Sequence, residues 1–330
     1  MNFIDIFSTA QAWIFEAIVQ PAIYQFGLGE FTEQAFEGVE WFLFGVCELI
    51  ILFALLRPLE AFMPVQKMTD GYARWNDFFY TALHRLGVFS LAIFFVLDPA
   101  LDALTGIVHL QGMNPFNLDN LWPAMADHPV LVFLLYLLVL DFFDYWYHRA
   151  EHQFNWWWAL HSLHHSQRNM NLWSDNRNHL FDDFLRDVYM GLIAIAIGVQ
   201  PSQYALLVVV SRMLQSLQHA NVRLHFGTVG EYLLVSPRYH RTHHAIGIGH
   251  ESKGQGSVGG HNFSVLFPIW DVAFGTALFS KEFHMTGIRD QLAFPEGSSR
   301  DYGQGFWSQQ WLGCQRMLGM DKQQMKEKSQ

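Results

Sequence analysis

Lysine and arginine are missing from the whole of residues 1–56 and again from the stretch Asp98 to His128, which holds Asp98, Asp102, Asp119 and Asp127. Cysteine is as scarce. Cys47 and Cys314 are the full complement, so a disulfide framework is excluded, and neither has the spacing of a thiolate metal site. Only 15% of residues are charged and the formal net charge is −10, which excludes nucleic acid as a partner, because that ligand rewards clustered positive charge. No basic segment precedes an apolar core at the N-terminus, where Asp5 stands instead, so no cleaved signal peptide is expected. Residues 3–19 read as an interfacial amphipathic helix. There is no GxGxxG opening a helix, no haem-attachment cysteine pair and no HExxH, so neither a bound dinucleotide or flavin motif nor the metallohydrolase pattern is present.

What is abundant is apolar surface: 51% of the chain is hydrophobic and 16% aromatic, a composition that points to lipid. The runs Val39–Leu56, Phe78–Leu97 and Pro129–Tyr147 approach the roughly 20 residues that cross a bilayer as a helix. A fourth run, Val188–Val210, is interrupted by Gln200 and Pro201 and reads as a kinked span or a short helical hairpin. The positive-inside rule places the residues before Arg57 and the Asp98–His128 loop outside the cytoplasm, and Arg57–Arg74 and everything after Arg149 inside it. The expectation is an all-α integral membrane protein of about four transmembrane segments, the last broken, with a cytoplasmic helical cap. In a bacterium that membrane is the inner, or plasma, membrane. Its expected parts are an extracytoplasmic or interfacial segment (1–38), transmembrane helices (39–147), a histidine-rich catalytic region with its membrane hairpin (148–306, hairpin 188–218), and a C-terminal amphipathic segment with a polar tail (307–330).

Seventeen histidines are present, and their spacing carries the chemistry. His148 and His152 stand at i and i+4, about 40° apart around a helix, so both can enter one site. His161-Ser-Leu-His164-His165 and His240-Arg-Thr-His243-His244 are both HxxHH. Eight imidazoles exceed what one tetrahedral ion can use, and neutral imidazole suits Fe, Zn, Cu and Ni. The pattern implies two metals. His84, inside an expected span, is read first as a hydrogen-bond partner between helices. Trp156, Trp157 and Trp158 read as an aromatic belt at headgroup level.

These motifs resemble those of the fatty acid hydroxylase and sterol desaturase superfamily. Asp141-Phe-Phe-Asp-Tyr-Trp-Tyr-His148-Arg-Ala-Glu-His152 is similar to its first box, His161–Ser166 to its second and Ser236–His244 to its third. Gln218-His219-Ala-Asn-Val resembles the single-histidine segment after the membrane hairpin. His261-Asn262-Phe263 and Trp270–Thr276 resemble the closing motifs. The resemblance implies a non-haem dimetal centre that uses dioxygen to hydroxylate, desaturate or cleave a lipid. Carried over by position, the ligands are His148, His152, His161, His164, His165, His219, His240, His243 and His244, with His179 of Arg177-Asn-His179 as a further candidate. Two iron ions are the implied cofactor, with zinc able to replace them on purification because it binds such sites more tightly than ferrous iron. The implied partners are a membrane lipid as substrate and an electron donor, either a reductase, a ferredoxin or a b-type cytochrome. A tetrahydropterin would serve the ether-cleaving branch. A metal-handling or lipid-binding protein without redox chemistry is the other class considered. Asp144, one turn before His148, is a candidate to orient that imidazole or to pair with an arginine. Asn262 and Asp271 are candidates to support the site from its closing motifs.

Overall fold

The computed structural model describes residues 3–89, 106, 107, 110, 127–293 and 295–320. Among them the architecture is all-helical, with one isolated antiparallel bridge, Ala245 to Thr286, in place of a sheet. The N-terminal segment forms α1 (Phe3–Ile14), a π-helical turn (Phe15–Val19) and α2 (Gln20–Gln25). It folds back on the next helix, where the Gln11 amide donates to the Phe36 carbonyl at 3.2 Å.

That next helix, α3 (Thr32–Phe62), begins seven residues before the expected boundary at Val39. At about 1.5 Å per residue it is about 46 Å long, more than a bilayer core of about 30 Å. It and α5 (Pro129–Glu151) are the two described helices long and apolar enough to cross a membrane. Between them, α4 (Gly71–Arg85) departs from expectation. The run Phe78–Leu97 does not continue as one helix: Leu86 caps it and Gly87 turns the chain at φ 76°, and residues 90–97 lie outside the described part. The reason is polar. Asp77, Thr81 and Arg85 are buried on α4, and the Asp77 carboxylate accepts from Gln167, Asn171 and Ser174. A helix with that face is held by protein, not lipid. Gly45 of α3 is where the two helices touch: a Cβ there would lie 1.6 Å from the Arg85 carbonyl oxygen.

The interrupted fourth run becomes two helices, α7 (Leu180–Ala196) and α8 (Pro201–His219), separated by Gly198 at φ 76° and started again by Pro201 at the first helical turn. Both legs pack on α5 through one cluster of Leu137, Leu140, Ala194, Leu207, Val265 and Leu266. Burying each such leucine contributes about 1.5–3 kcal/mol. Short helices complete the cap: α6 (Asn155–His165), α9 (Gly227–Leu233), α10 (Pro237–His243), started by the Ser236 hydroxyl accepting from Tyr239 N, and α11 (Ile269–Ala273). The C-terminal α12 (Phe306–Met317) belongs to the cap as well. It lies along α6, with Arg316 Nε donating to the Ala159 carbonyl at 3.1 Å.

Candidate metal centre

An HxxHH triplet on a helix cannot aim three rings at one point. From the first histidine, the fifth position is about 40° round the axis one way and the fourth about 60° the other way. The structure follows this geometry in both triplets. His161 and His165 join His148, His152 and His243 in one buried group, while His164 joins His219, His240 and His244 in a second. Each triplet therefore gives its outer pair to one group and its middle ring to the other. Within each group one nitrogen per ring lies within 4.8 Å of all the others. The nine histidines come from α5, α6, α8 and α10 or their C-caps.

Backbone carbonyls set the direction of the rings. Nδ1 of His152, His243 and His148 lies 3.2, 2.7 and 2.8 Å from the carbonyl oxygens of Gly259, His261 and Phe263. These are alternate residues of one segment. A carbonyl only accepts, so Nδ1 carries the proton and Nε2 keeps its lone pair. The segment can approach this closely because Gly260 sits at φ 144°, where a Cβ would lie 2.1 Å from the Gly249 carbonyl oxygen.

Both groups are suited to a cation. In the first, Nε2 of His152, His161 and His243 and both nitrogens of His165 are buried without a hydrogen-bond partner, a costly arrangement unless something binds them. In the second, His219 Nε2 is 3.1 Å from His164 Nε2 and 3.0 Å from His240 Nε2, which is 3.1 Å from His244 Nε2. With metal–nitrogen bonds of about 2.1 Å, ligands at right angles stand about 3.0 Å apart. Burial, then the neighbouring imidazoles, holds His165 and His244 well below the usual histidine range. Burial lowers His243 to about 3, against the His261 carbonyl. The rings are neutral, as ligands must be.

His161 is the exception. Burial opposes its charge, but Glu151 and Asp182 outweigh burial and push it up to about 10. Its Nδ1 lies 3.3 Å from Glu151 Oε1 and 3.5 Å from Asp182 Oδ2, so these carboxylates hold the Nδ1 proton, and Nε2 would serve as a ligand atom once a metal displaced its own proton. At His219 the Nδ1 proton goes to the Gln215 carbonyl oxygen at 2.8 Å, with Asp175 Oδ1 further off at 3.5 Å. The sequence reading missed all three acids. Glu151 lies inside the first box, and a carboxylate one residue from a box histidine was the available signal.

The other expectations divide. His179 stays outside both groups: its Nε2 is 2.9 Å from the Gln310 carbonyl oxygen and its Nδ1 accepts from Phe181 N as the cap of α7. With both nitrogens in use it has no lone pair to offer. Asp144 does not reach His148 but grips Arg186 at 3.0 and 2.5 Å. Asp271 accepts from Phe263 N, Ser264 N, Tyr239 Oη and Thr276 Oγ1 at 2.7–3.0 Å, and so holds the segment that presents the carbonyls. Asn262, at φ 62°, closes the same segment by bonding the Tyr239 and Leu278 carbonyls and Leu278 N. His84 faces Asp183 at 3.2 Å. His250 is 4% exposed, stacks on Trp158 and leaves both nitrogens without partners.

A cavity of about 1290 Å³ opens onto the centre. His148, His161, His164, His219 and His240 form its inner end, and Trp13, Ile18, Ile23, Phe31, Val39 and Phe42 line its apolar wall. His152, His165, His243 and His244 lie behind, off the cavity.

Two polyhistidine groups at the end of an apolar cavity, in a helical chain with helices able to span a bilayer, define a membrane protein with a candidate metal centre. Residues 133–276 match the fatty acid hydroxylase family model, so this part of the chain is similar to that family. It is 31% identical to human alkylglycerol monooxygenase over 139 residues, 42% of this chain and 29% of that protein. Against the Xenopus tropicalis alkylglycerol monooxygenase it is 30% identical over 162 residues, 49% of this chain and 34% of the relative. The alignment therefore spans about a third of those proteins. With the ornithine lipid hydroxylase OlsE of Rhizobium tropici it shares 26% identity over 263 residues, 79% of this chain and 74% of the relative. No solved structure matches the chain.

Proposed function

We propose that the protein is a membrane-bound diiron oxygenase that hydroxylates a lipid. The observation that carries this reading is the pair of histidine groups, with orphaned buried nitrogens, bordering a cavity with an apolar wall. The nine histidines would hold two iron ions, which would supply dioxygen activation for insertion into an unactivated C–H bond. The balance is R–H plus O2, two electrons and two protons to R–OH and water, the electrons coming from an external reductase, ferredoxin or b-type cytochrome.

The chain's own part is binding, orientation and exclusion of water. Gly259, His261 and Phe263 carbonyls fix three rings, and Glu151 and Asp182 keep the His161 proton on Nδ1. The apolar wall takes the lipid chain and keeps solvent from the reacting carbon. In this reading α3 and α5 cross the bilayer with Arg57 and Arg149 at the cytoplasmic side. In the same reading α7 and α8 dip in from the cytoplasmic face. The alignment with OlsE over most of both chains favours hydroxylation. The alkylglycerol monooxygenase matches support cleavage of an ether lipid by a pterin-dependent reaction as the second reading.

Oxygen uptake together with mass spectrometry of lipids incubated with the iron-loaded protein and a reductant tests this. A product heavier by one oxygen supports hydroxylation, and an aldehyde released from an ether lipid supports the second reading. An iron-loaded protein that yields neither from any membrane lipid overturns both.

A further inference from the structure

The cavity wall between the apolar side and the histidines carries acceptors without donors. Gln218 is buried, and its Nε2 donates to the Val265 carbonyl at 2.8 Å, which fixes the amide's orientation. Its Oε1 is left without a partner on the cavity side. Asp183 Oδ2 likewise has no hydrogen bond. Asp187, one turn further along α7, lines the cavity, is exposed, and has no hydrogen bond or ion pair among the described residues. Asp183 and Asp187 stand at i and i+4 on one helix face, where like charges repel, and among the described residues His84 is the only ionisable base facing the pair within 4 Å.

Arg186 and Arg212 lie close enough to act on Asp187 through their charge, but their hydrogen-bond donors are engaged elsewhere. Arg186 is committed to Asp144, and Arg212 to Glu48 at 2.6 Å. They offer nothing free to an anionic group. An ammonium has three donors and no acceptor, and so complements these atoms, whereas a hydroxyl brings an acceptor of its own and leaves the charge unbalanced. Asp182, on the same helix, touches His161, and Asp187 is about 7.5 Å further along the axis. A cation held between Asp183 and Asp187 keeps its near carbons within a few bonds of the histidine centre.

We propose that Asp183, Asp187 and Gln218 form a subsite for the ammonium headgroup of a lipid whose chains lie along the Trp13 to Phe42 wall. The inference rests on the lipid-oxygenase reading and names the substrate class within it. Lipid retention by the full-length, metal-loaded protein in detergent, read by native mass spectrometry, tests it without relying on turnover. The probes are three lipids of identical chains with ammonium, hydroxyl or carboxylate heads, and butylamine in tenfold excess as a soluble competitor.

The wild-type protein is expected to retain the ammonium lipid at least tenfold over the other two, undisturbed by butylamine. D183N/D187N is expected to abolish the preference with two metals still bound. No preference in the wild type, a preference kept by D183N/D187N, or displacement by butylamine overturns the proposal. Loss of metal in D183N/D187N would also overturn it, by assigning the acids to charge balance at the centre. Selective retention without any oxidised product would refute the oxygenase reading alone, and oxidation of the hydroxyl lipid without selectivity would refute the subsite alone.

Discussion

His219 Nε2 and His164 Nε2 stand 3.1 Å apart although 55 residues separate them in the chain. The contact joins the C-terminal end of α8 to the middle ring of the second box, and it makes that middle ring part of a different group from its neighbours. Replacing His164 with alanine is therefore expected to strip the second group and leave the first. Metal content should fall from about two ions per chain to about one, with activity lost, and His243→Ala should do the same for the first group. Elemental analysis of the purified variants checks both; full activity in either refutes the ligand assignment.

Asp271 accepts four hydrogen bonds and touches no histidine in doing so. In Asp271→Asn an amide NH2 must face at least one of the donors it now receives, a buried mismatch costing about 1–3 kcal/mol. The expected result is a lowered unfolding midpoint and faster metal loss to a chelator, since the Gly259–Phe263 carbonyls lose their anchor. Unchanged chelation kinetics would separate the loop from metal retention.

Acid should destabilise the metal-free protein. Burial holds His250 at about 4 and His243 at about 3, below the unfolded value of about 6.5. The unfolded chain therefore binds more protons, and stability falls as pH drops through 6.5, continuing to about 4 for His250 and about 3 for His243. Between pH 7 and 5 each such histidine removes about 2 kcal/mol. Thermal unfolding of chelator-treated protein across this window measures it, and a flat profile would contradict the burial of these rings.

Gly45→Ala places a methyl group 1.6 Å from the Arg85 carbonyl oxygen. Forcing α3 and α4 apart is expected to cost about 1–3 kcal/mol and to loosen the buried contacts of Arg85 with Glu48 and Asp175. Detergent-resistant stability, measured by thermal aggregation, should fall, whereas Gly38→Ala on the same helix, where nothing lies within 4 Å of an added Cβ, should leave it unchanged.

The parts of this protein legible in sequence are those written in short-range periodicity. Helical spacing of histidines identified eight of the nine grouped rings, family resemblance added His219, and the break at Gln200 and Pro201 is where α7 and α8 separate. Hydropathy does not show that α4 ends at Arg85, because an apolar average over Phe78–Leu97 hides that residue, whose partners Glu48 and Asp175 lie on another helix or about 90 residues away. The same limit applies to Glu151, Asp175 and Asp182, and to Asp144, whose partner is Arg186 and not His148. The carbonyls of Gly259, His261 and Phe263 belong to the backbone and leave no residue-type signal at all.

The division of each HxxHH triplet between the two groups ties their occupancies together. An ion seated in the first group restrains the rotation of both α6 and α10, and the entropy of ordering those helices is then no longer charged to the second ion. Loading is expected to be positively cooperative, with a sigmoidal metal titration and few singly occupied chains in native mass spectra. A helix pair arranged in this way counts its ions in twos.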